Sequence, residues 1–371
     1  MVERFKVPTK DQVRVNHMDL RETVKQIFQK MGETVEDAAI ASEVLVESDL
    51  RGVESHGVSN MLKEYISYYK DQIIKPRANW KIVKESPSTA TVDADTGLAV
   101  ILGPKAMKIA IQKAKKVGVG IVTMRNAGHS GAIGHHALIA AKEDMLGMCM
   151  TTGGLRVVPT FSAEPLLGTN PIAVAAPTNN KPTFLFDAAT CSVAGNKVRL
   201  AQRSGKKLMP GWVSDENGAP IMEEYKVEDH LDIPPLLPLG GTREIGSHKG
   251  YGLSLVNEIM CSLMSGGIPS MLEGHEATNK HLFAAYDISA FTDLNELVVW
   301  GKERYKSITK DYEHFDELYI DNIKIVYCYG FLNGNWLNGS SFSGIRFIDR
   351  FTLKEKKILE QLVWNDLAEY K

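Results

Sequence analysis

Apolar side chains recur at helical spacing near the start of the chain. Leu20, Val24, Ile27, Phe28 and Met31 fall on one helix face, and Gly32 stands where a C′ residue stops a helix. Thr34 with Asp37 has the form of an acidic capping box and predicts a second helix to about Leu50. A third amphipathic segment follows Ser55, with Met61, Leu62, Tyr65, Ile66 and Tyr69, and Pro76 closes that region. From Trp80 the pattern changes to short strand-like runs at 81–84, 89–93, 119–124, 145–151, 172–176 and 183–186. Helical patterns lie between some of them, at 104–116 and 132–143. Residues 210–238 are loop-rich, with a turn at Asn217-Gly218. Gly240 to Met264 is a glycine-rich turn leading into an apolar helix. Helical, charged patterns return after Asp293, and 353–371 carries Leu359, Leu362, Val363 and Leu367 as a final helix. The expectation is a mixed α/β protein. Residues 1–80 and 300–371 form a helical domain from the two chain ends, and 81–299 form the α/β domain.

Composition narrows the function classes. The chain has 371 residues, 44% of them hydrophobic, and a net charge of −2. No basic field favours nucleic acid, and no run reaches the roughly 18 apolar residues of a membrane span. The first residues lack the apolar core of a signal peptide, so a cytoplasmic protein is expected. Cys149, Cys191, Cys261 and Cys328 are widely spaced and form no CxxC pair, which points to thiols rather than a disulfide framework or zinc cluster.

Several segments carry candidate chemistry. Ser55-His56-Gly57 sits between two helices, where a histidine can face a cleft and exchange a proton near neutral pH, or simply cap a helix. A strand ending at Met124 runs into Arg125-Asn126-Ala127-Gly128-His129-Ser130-Gly131, a small-residue loop that lets a ligand approach the backbone before a helix start. His135 and His136 follow, but the three histidines match no common metal-ligand spacing, so no metal is assigned. Leu167-Gly168-Thr169-Asn170-Pro171 offers short hydrogen-bonding groups or a plain turn. An apolar strand ends in Asp187-Ala188-Ala189-Thr190, where an acid can meet a ribose or cap a helix. In Gly246-Ser247-His248-Lys249-Gly250-Tyr251 a lysine opens a helix against the dipole's preference, which suits an anion such as a cofactor phosphate. GxGxxG is absent after any strand, so a nucleotide has to be held by something other than a Rossmann domain.

Taken in order, these blocks resemble the malate/L-lactate dehydrogenase family that includes sulfolactate and ureidoglycolate dehydrogenases. The likeness rests on Asp49 to Val58, the His129 loop, Leu167 to Ile172, Asp187 to Thr190 and His248 to Leu253. It implies a non-Rossmann, sulfolactate-dehydrogenase-like fold and a homodimer. It also implies hydride transfer between NAD or NADP and a small malate- or lactate-like 2-hydroxy acid. His129 would take the hydroxyl proton, with His56 as alternative or partner. Substrate contacts would come from Ser55, Arg51 and Asn60, although Arg51 equally fits a surface ion pair. The cofactor would meet Thr169, Asn170, Asp187, Ala188, Ala189, Lys249 and Gly250. The sequence departs from the family at Asn60, where an Arg is usual, at Gly153, where a Ser is usual, and over 321–350. An imine or 2-keto acid reductase of the same family, or a catalytically degenerate nucleotide-binding protein, are the alternatives.

Overall fold

The computed structural model of the chain describes residues 13–178, 183–228, 232–274 and 278–292, and the backbone of four strands between 314 and 365. Three helices open it: α1 (His17–Lys30), α2 (Val35–Leu50) and α3 (Val58–Lys70). Their ends follow the sequence signals. The Asn16 side chain accepts from the Met18 N–H, and Thr34 Oγ1 accepts from the Asp37 N–H at 3.1 Å. Val24, Phe28, Ala38, Ala41, Leu45, Met61 and Tyr65 fall on the buried faces, as the periodicity requires.

The strands β1 (Lys81–Glu85), β2 (Thr89–Asp93), β3 (Val119–Ala127), β4 (Met145–Thr152), β5 (Ile172–Ala176) and β6 (Phe184–Ala188) lie where the runs predict them, within a few residues. They share one seven-stranded sheet of order β1-β2-β3-β7-β4-β5-β6 with β7 (Asn279–Asp287), a strand the sequence pattern did not announce. The sheet is mixed. β2 and β3 run parallel, whereas β1/β2, β3/β7, β7/β4 and β4/β5 are antiparallel. A doubly wound parallel nucleotide-binding sheet is therefore not what this chain builds.

Helices α4 (Ala99–Val117) and α5 (Gly134–Ala141) cover one face, and the N-terminal helices pack outside them in one continuous core. The approach is close at Gly120, where an added Cβ would stand 1.8 Å from the Ala110 carbonyl oxygen of α4. A smaller core, with Met150, Cys261, Leu282 and Ala284, lies under the helical stretch made of α7 (Ser247–Asn257) and the π-helical turn Glu258–Leu263. A third core around Val157, Leu167, Val198 and Leu236 includes the unanticipated α6 (Gly195–Arg203). Cys149, Cys191 and Cys261 are free, buried thiols. Among the described residues no helix is long and apolar enough to cross a membrane.

Contacts divide the chain into two units. One comprises Met1–Ala175 with Leu185–Asp287, and the other comprises Ala176–Phe184 with Ile288–Lys371. The second holds four antiparallel strands: β8 (His314–Ile320), β9 (Ile323–Asn335), β10 (Ser341–Lys354) and β11 (Lys357–Asn365), ordered β11-β10-β9-β8. This corrects the helix expected over 353–371 as far as Asn365, and 366–371 lie outside the described residues. Pairing with β10 overrides the local spacing of its leucines, since strand preference depends on the cross-strand context. Here Arg350 stands opposite Leu362, and Ile348 opposite Trp364. The helical pattern read at 293–313 lies outside the described residues.

Candidate active site

The junction between α2 and α3 positions His56. Asp49 reaches across it, and its Oδ2 accepts the Val58 N–H at 2.9 Å, satisfying the start of α3. Burial pushes the Asp49 pKa up, and the Val58 bond works against that rise. Gly57 lets the carboxylate pass, because a Cβ there would meet Asp49 Oδ1 at 1.7 Å. Residues Glu54–His56 form a 3-10 turn braced by the Asn60 side chain, which donates to the Glu54 carbonyl. From α6, Asn196 Nδ2 donates to the Ser55 carbonyl at 2.7 Å. Ser55 is buried and its hydroxyl lies 2.9 Å from His56 Nδ1. Burial, then the positive charge of Lys197, push the His56 pKa down to about 4.

The loop after β3 brings His129 to the same place. The two imidazoles are stacked, with centroids 5.7 Å apart and planes within 14°. His129 Nδ1 accepts the Gly131 N–H at 3.1 Å and lies 2.7 Å from the Tyr65 hydroxyl. Two further histidines fix the loop on either side of it. His281 Nε2 meets the Gly128 carbonyl at 3.1 Å, and His136 Nε2 meets the Ser130 carbonyl at 2.9 Å. Burial first, then the neighbouring His56 and His281, push the His129 pKa down to about 3. Burial likewise lowers His136 to about 3 and His281 to about 4. All four rings are therefore neutral at pH 7, and His56 and His129 are the half-exposed pair.

This cluster sets an acid limit on stability. A histidine with a depressed folded pKa binds fewer protons folded than unfolded, so its contribution is complete above about pH 6.5 and is lost as pH falls toward the folded value. Stability is expected to fall between pH 6.5 and 4. The fully buried His281 contributes a slope of up to about 1.4 kcal/mol per pH unit. In His281→Gln, whose amide can still donate to Gly128, urea unfolding across that range is expected to show a slope smaller by up to one proton. An unchanged slope would mean that His281 takes no part.

The remaining predicted residues separate into two groups. Asp187 Oδ2 accepts the Gly134 N–H at 2.7 Å, so the start of α5 is capped by the protein itself. Burial of the carboxyl pushes the Asp187 pKa up to about 6, and the Gly134 bond works against that rise. Beyond Ala188 and Ala189, the Thr190 N–H donates to the Thr169 carbonyl at 3.0 Å. Asn170 is buried, and its Nδ2 donates to Ser254 Oγ at 2.9 Å and Glu258 Oε1 at 3.3 Å, tying the start of β5 to α7. Its Oδ1 is buried without a hydrogen-bond partner. Lys249 is exposed in the first turn of α7 and has no ion-pair partner among the described residues. Gly250 packs inward, since a Cβ there would stand 2.4 Å from Leu239 backbone atoms. Arg51 is outward, with Nε and Nη2 both 3.1 Å from Glu47 Oε1, which is the surface ion pair foreseen as its alternative. Glu47 also holds His135 Nδ1 at 2.8 Å.

Sequence reasoning missed three groups of this site. Tyr65 looked like one more apolar position on a helix face. Lys197 stood in a segment to which the sequence pattern assigned no element and no role. His281 lies in the unannounced strand β7.

The matched model of the malate/L-lactate dehydrogenase family spans residues 15–315. The chain is 40% identical to a malate dehydrogenase of Pyrococcus abyssi over 319 residues, 84% of this chain and 87% of that protein. The solved malate dehydrogenase of Pyrococcus horikoshii superposes with a TM-score of 0.72 at 36% identity, over 83% of this chain and 86% of that one. The solved sulfolactate dehydrogenase of Methanocaldococcus jannaschii superposes with a TM-score of 0.69 at 34% identity, over 82% and 87%. The mixed sheet, the paired histidines and these matches agree, and the chain belongs to the malate/L-lactate dehydrogenase family.

Proposed function

We propose that the protein is an NAD(P)-dependent oxidoreductase that interconverts a small malate- or lactate-like 2-hydroxy acid and its 2-keto acid, as a cytoplasmic homodimer. The observation that carries this reading is the stacked, neutral His56–His129 pair, half-exposed and backed by buried hydrogen bonds. Removing hydride from a carbinol leaves a carbonyl, so the hydroxyl proton needs an acceptor that is unprotonated at working pH. A neutral imidazole meets that requirement, and a second one beside it can hold the oxygen.

The cofactor site fits a nicotinamide dinucleotide by the chemistry of its donors. Lys249 brings an uncompensated positive charge to a glycine-rich helix start, as a pyrophosphate requires. Thr169, Ala188 and Ala189 are partly exposed, while Asn170 and Gly250 act as packing supports. When bound, the nicotinamide accepts or returns the hydride. The protein's own residues orient the substrate and manage its proton. A half-buried Lys197 brings positive charge to His56 and suits a carboxylate-bearing substrate, while Ser55 and Asn60 hold the turn that carries His56. For the homodimer, support comes from α7 and the π-helical turn, where Leu253, Val256, Ile259 and Leu263 are exposed in a three- to four-residue stripe.

The test is oxidation of NADH and of NADPH, followed at 340 nm, with a panel of 2-keto acids. Turnover with at least one acid is expected. Cofactor binding without turnover on any acid would sink the assignment in favour of a degenerate protein.

A further inference from the structure

The hydrogen bonds around His129 limit what it can do. An imidazole nitrogen carries either one lone pair or one proton. The Gly131 backbone N–H points at His129 Nδ1 from 3.1 Å, and a backbone N–H only donates. Nδ1 therefore holds the lone pair, and the Tyr65 hydroxyl at 2.7 Å donates to the same nitrogen. In the neutral ring the proton sits on Nε2. Such a ring has no free lone pair for a hydroxyl proton.

His56 differs. Among the described residues its one hydrogen-bond neighbour is the Ser55 hydroxyl at 2.9 Å, which can accept as well as donate. With Nδ1–H donating to Ser55 Oγ, the Nε2 lone pair of His56 is free. The rings stack at 5.7 Å, so their edges lie side by side.

We infer that the two histidines divide the work: His129 is a fixed hydrogen-bond donor to the substrate oxygen through Nε2–H, and His56 takes up and returns the proton. This rests on the hydroxy acid reading above and reverses the role that the family resemblance implied for His129. In oxidation the C–H bond breaks and its electron pair leaves as hydride to the nicotinamide, the oxidant. The O–H bond breaks and its proton passes to His56 Nε2, while the carbonyl forms. His129 keeps its proton throughout. The carbonyl contacts of His136 and His281 hold the loop so that the donor does not shift. The charged and titratable groups facing the pair are Lys197 from α6, against His56, and Tyr65 from α3 and His281 from β7, against His129.

Two measurements test this. In protein labelled with 15N-histidine, long-range proton–nitrogen correlations distinguish the tautomers, and the His129 signals are those missing from His129→Gln. The expected pattern is a protonated Nε2 and a pyridine-like Nδ1, and a protonated Nδ1 would overturn the proposal. In kinetics, glutamine can replace a donor but not a proton carrier. His129→Gln is expected to recover at least about tenfold in kcat/KM over His129→Ala. His56→Gln is expected to recover nothing over His56→Ala and to lose the acidic limb of the kcat/KM–pH profile. Recovery at position 56 and none at 129 would overturn it. A wild-type protein without turnover on any 2-hydroxy acid would sink the functional reading and the proposal with it. An active wild type with the wrong tautomer would sink the proposal alone.

Discussion

His129→Ala is expected to lower kcat/KM by about 100- to 1000-fold, the usual cost of removing a fixed donor from a developing oxyanion. The donor lies between two elements far apart in sequence, the loop after β3 and the middle of α3, which meet through the Tyr65–His129 bond. Truncation removes the Nε2–H proposed to meet the substrate oxygen and leaves the buried Tyr65 hydroxyl without its partner. The second effect costs stability of about 1–3 kcal/mol, the penalty of a buried unsatisfied group. Steady-state kinetics with urea unfolding on the same variant separates the two. A loss smaller than about tenfold in kcat/KM would mean that His129 does not meet the reacting oxygen.

The second large effect is structural. Gly120→Ala is expected to destabilise the protein by about 3 kcal/mol, as overpacking against an element that cannot yield does. The new methyl would lie 1.8 Å from the Ala110 carbonyl oxygen and 2.7 Å from its carbon, both backbone atoms in the middle of α4. Relief requires α4 to lift from β3 and β7, and α4 is buried along most of its length. Gly154→Ala serves as control, because nothing lies within 4 Å of its Cβ and its φ is not in the left-handed region. It is expected to change stability by less than about 0.5 kcal/mol. Urea midpoints that move equally in both variants would contradict the packing account.

The elements most legible in the sequence are those whose signals are local. Thr34 and Asp37 mark the start of α2, and spacing alone finds the buried face of α1. The start of α4 was placed late because Pro104 looks like a first-turn residue, whereas the helix begins at Ala99 and carries the proline inside. Strand β7 was missed for a different reason. It pairs with β3 and β4, more than a hundred residues earlier, and nothing near Asn279 encodes a place at the centre of the sheet. The C-terminal strands show the converse, since leucines at helical spacing were recruited by pairing. For the site, His56 and His129 were legible because a histidine flanked by glycines at an element's end has few structural uses. Tyr65, Lys197 and His281 were not, because each acquires its role only from a residue that folding brings to it. Asp187 was legible as a special acid, but the sequence does not say that the amide it meets belongs to α5.

The central claim is hydride transfer to a 2-keto acid. Its most direct test supplies the protein with a 2-keto acid and NADH or NADPH deuterated on one face of C4, followed by mass spectrometry of the product. The account predicts a 2-hydroxy acid carrying one deuterium at C2 from one of the two labelled faces and none from the other. A product without deuterium from either face, or no product with any 2-keto acid, would contradict it.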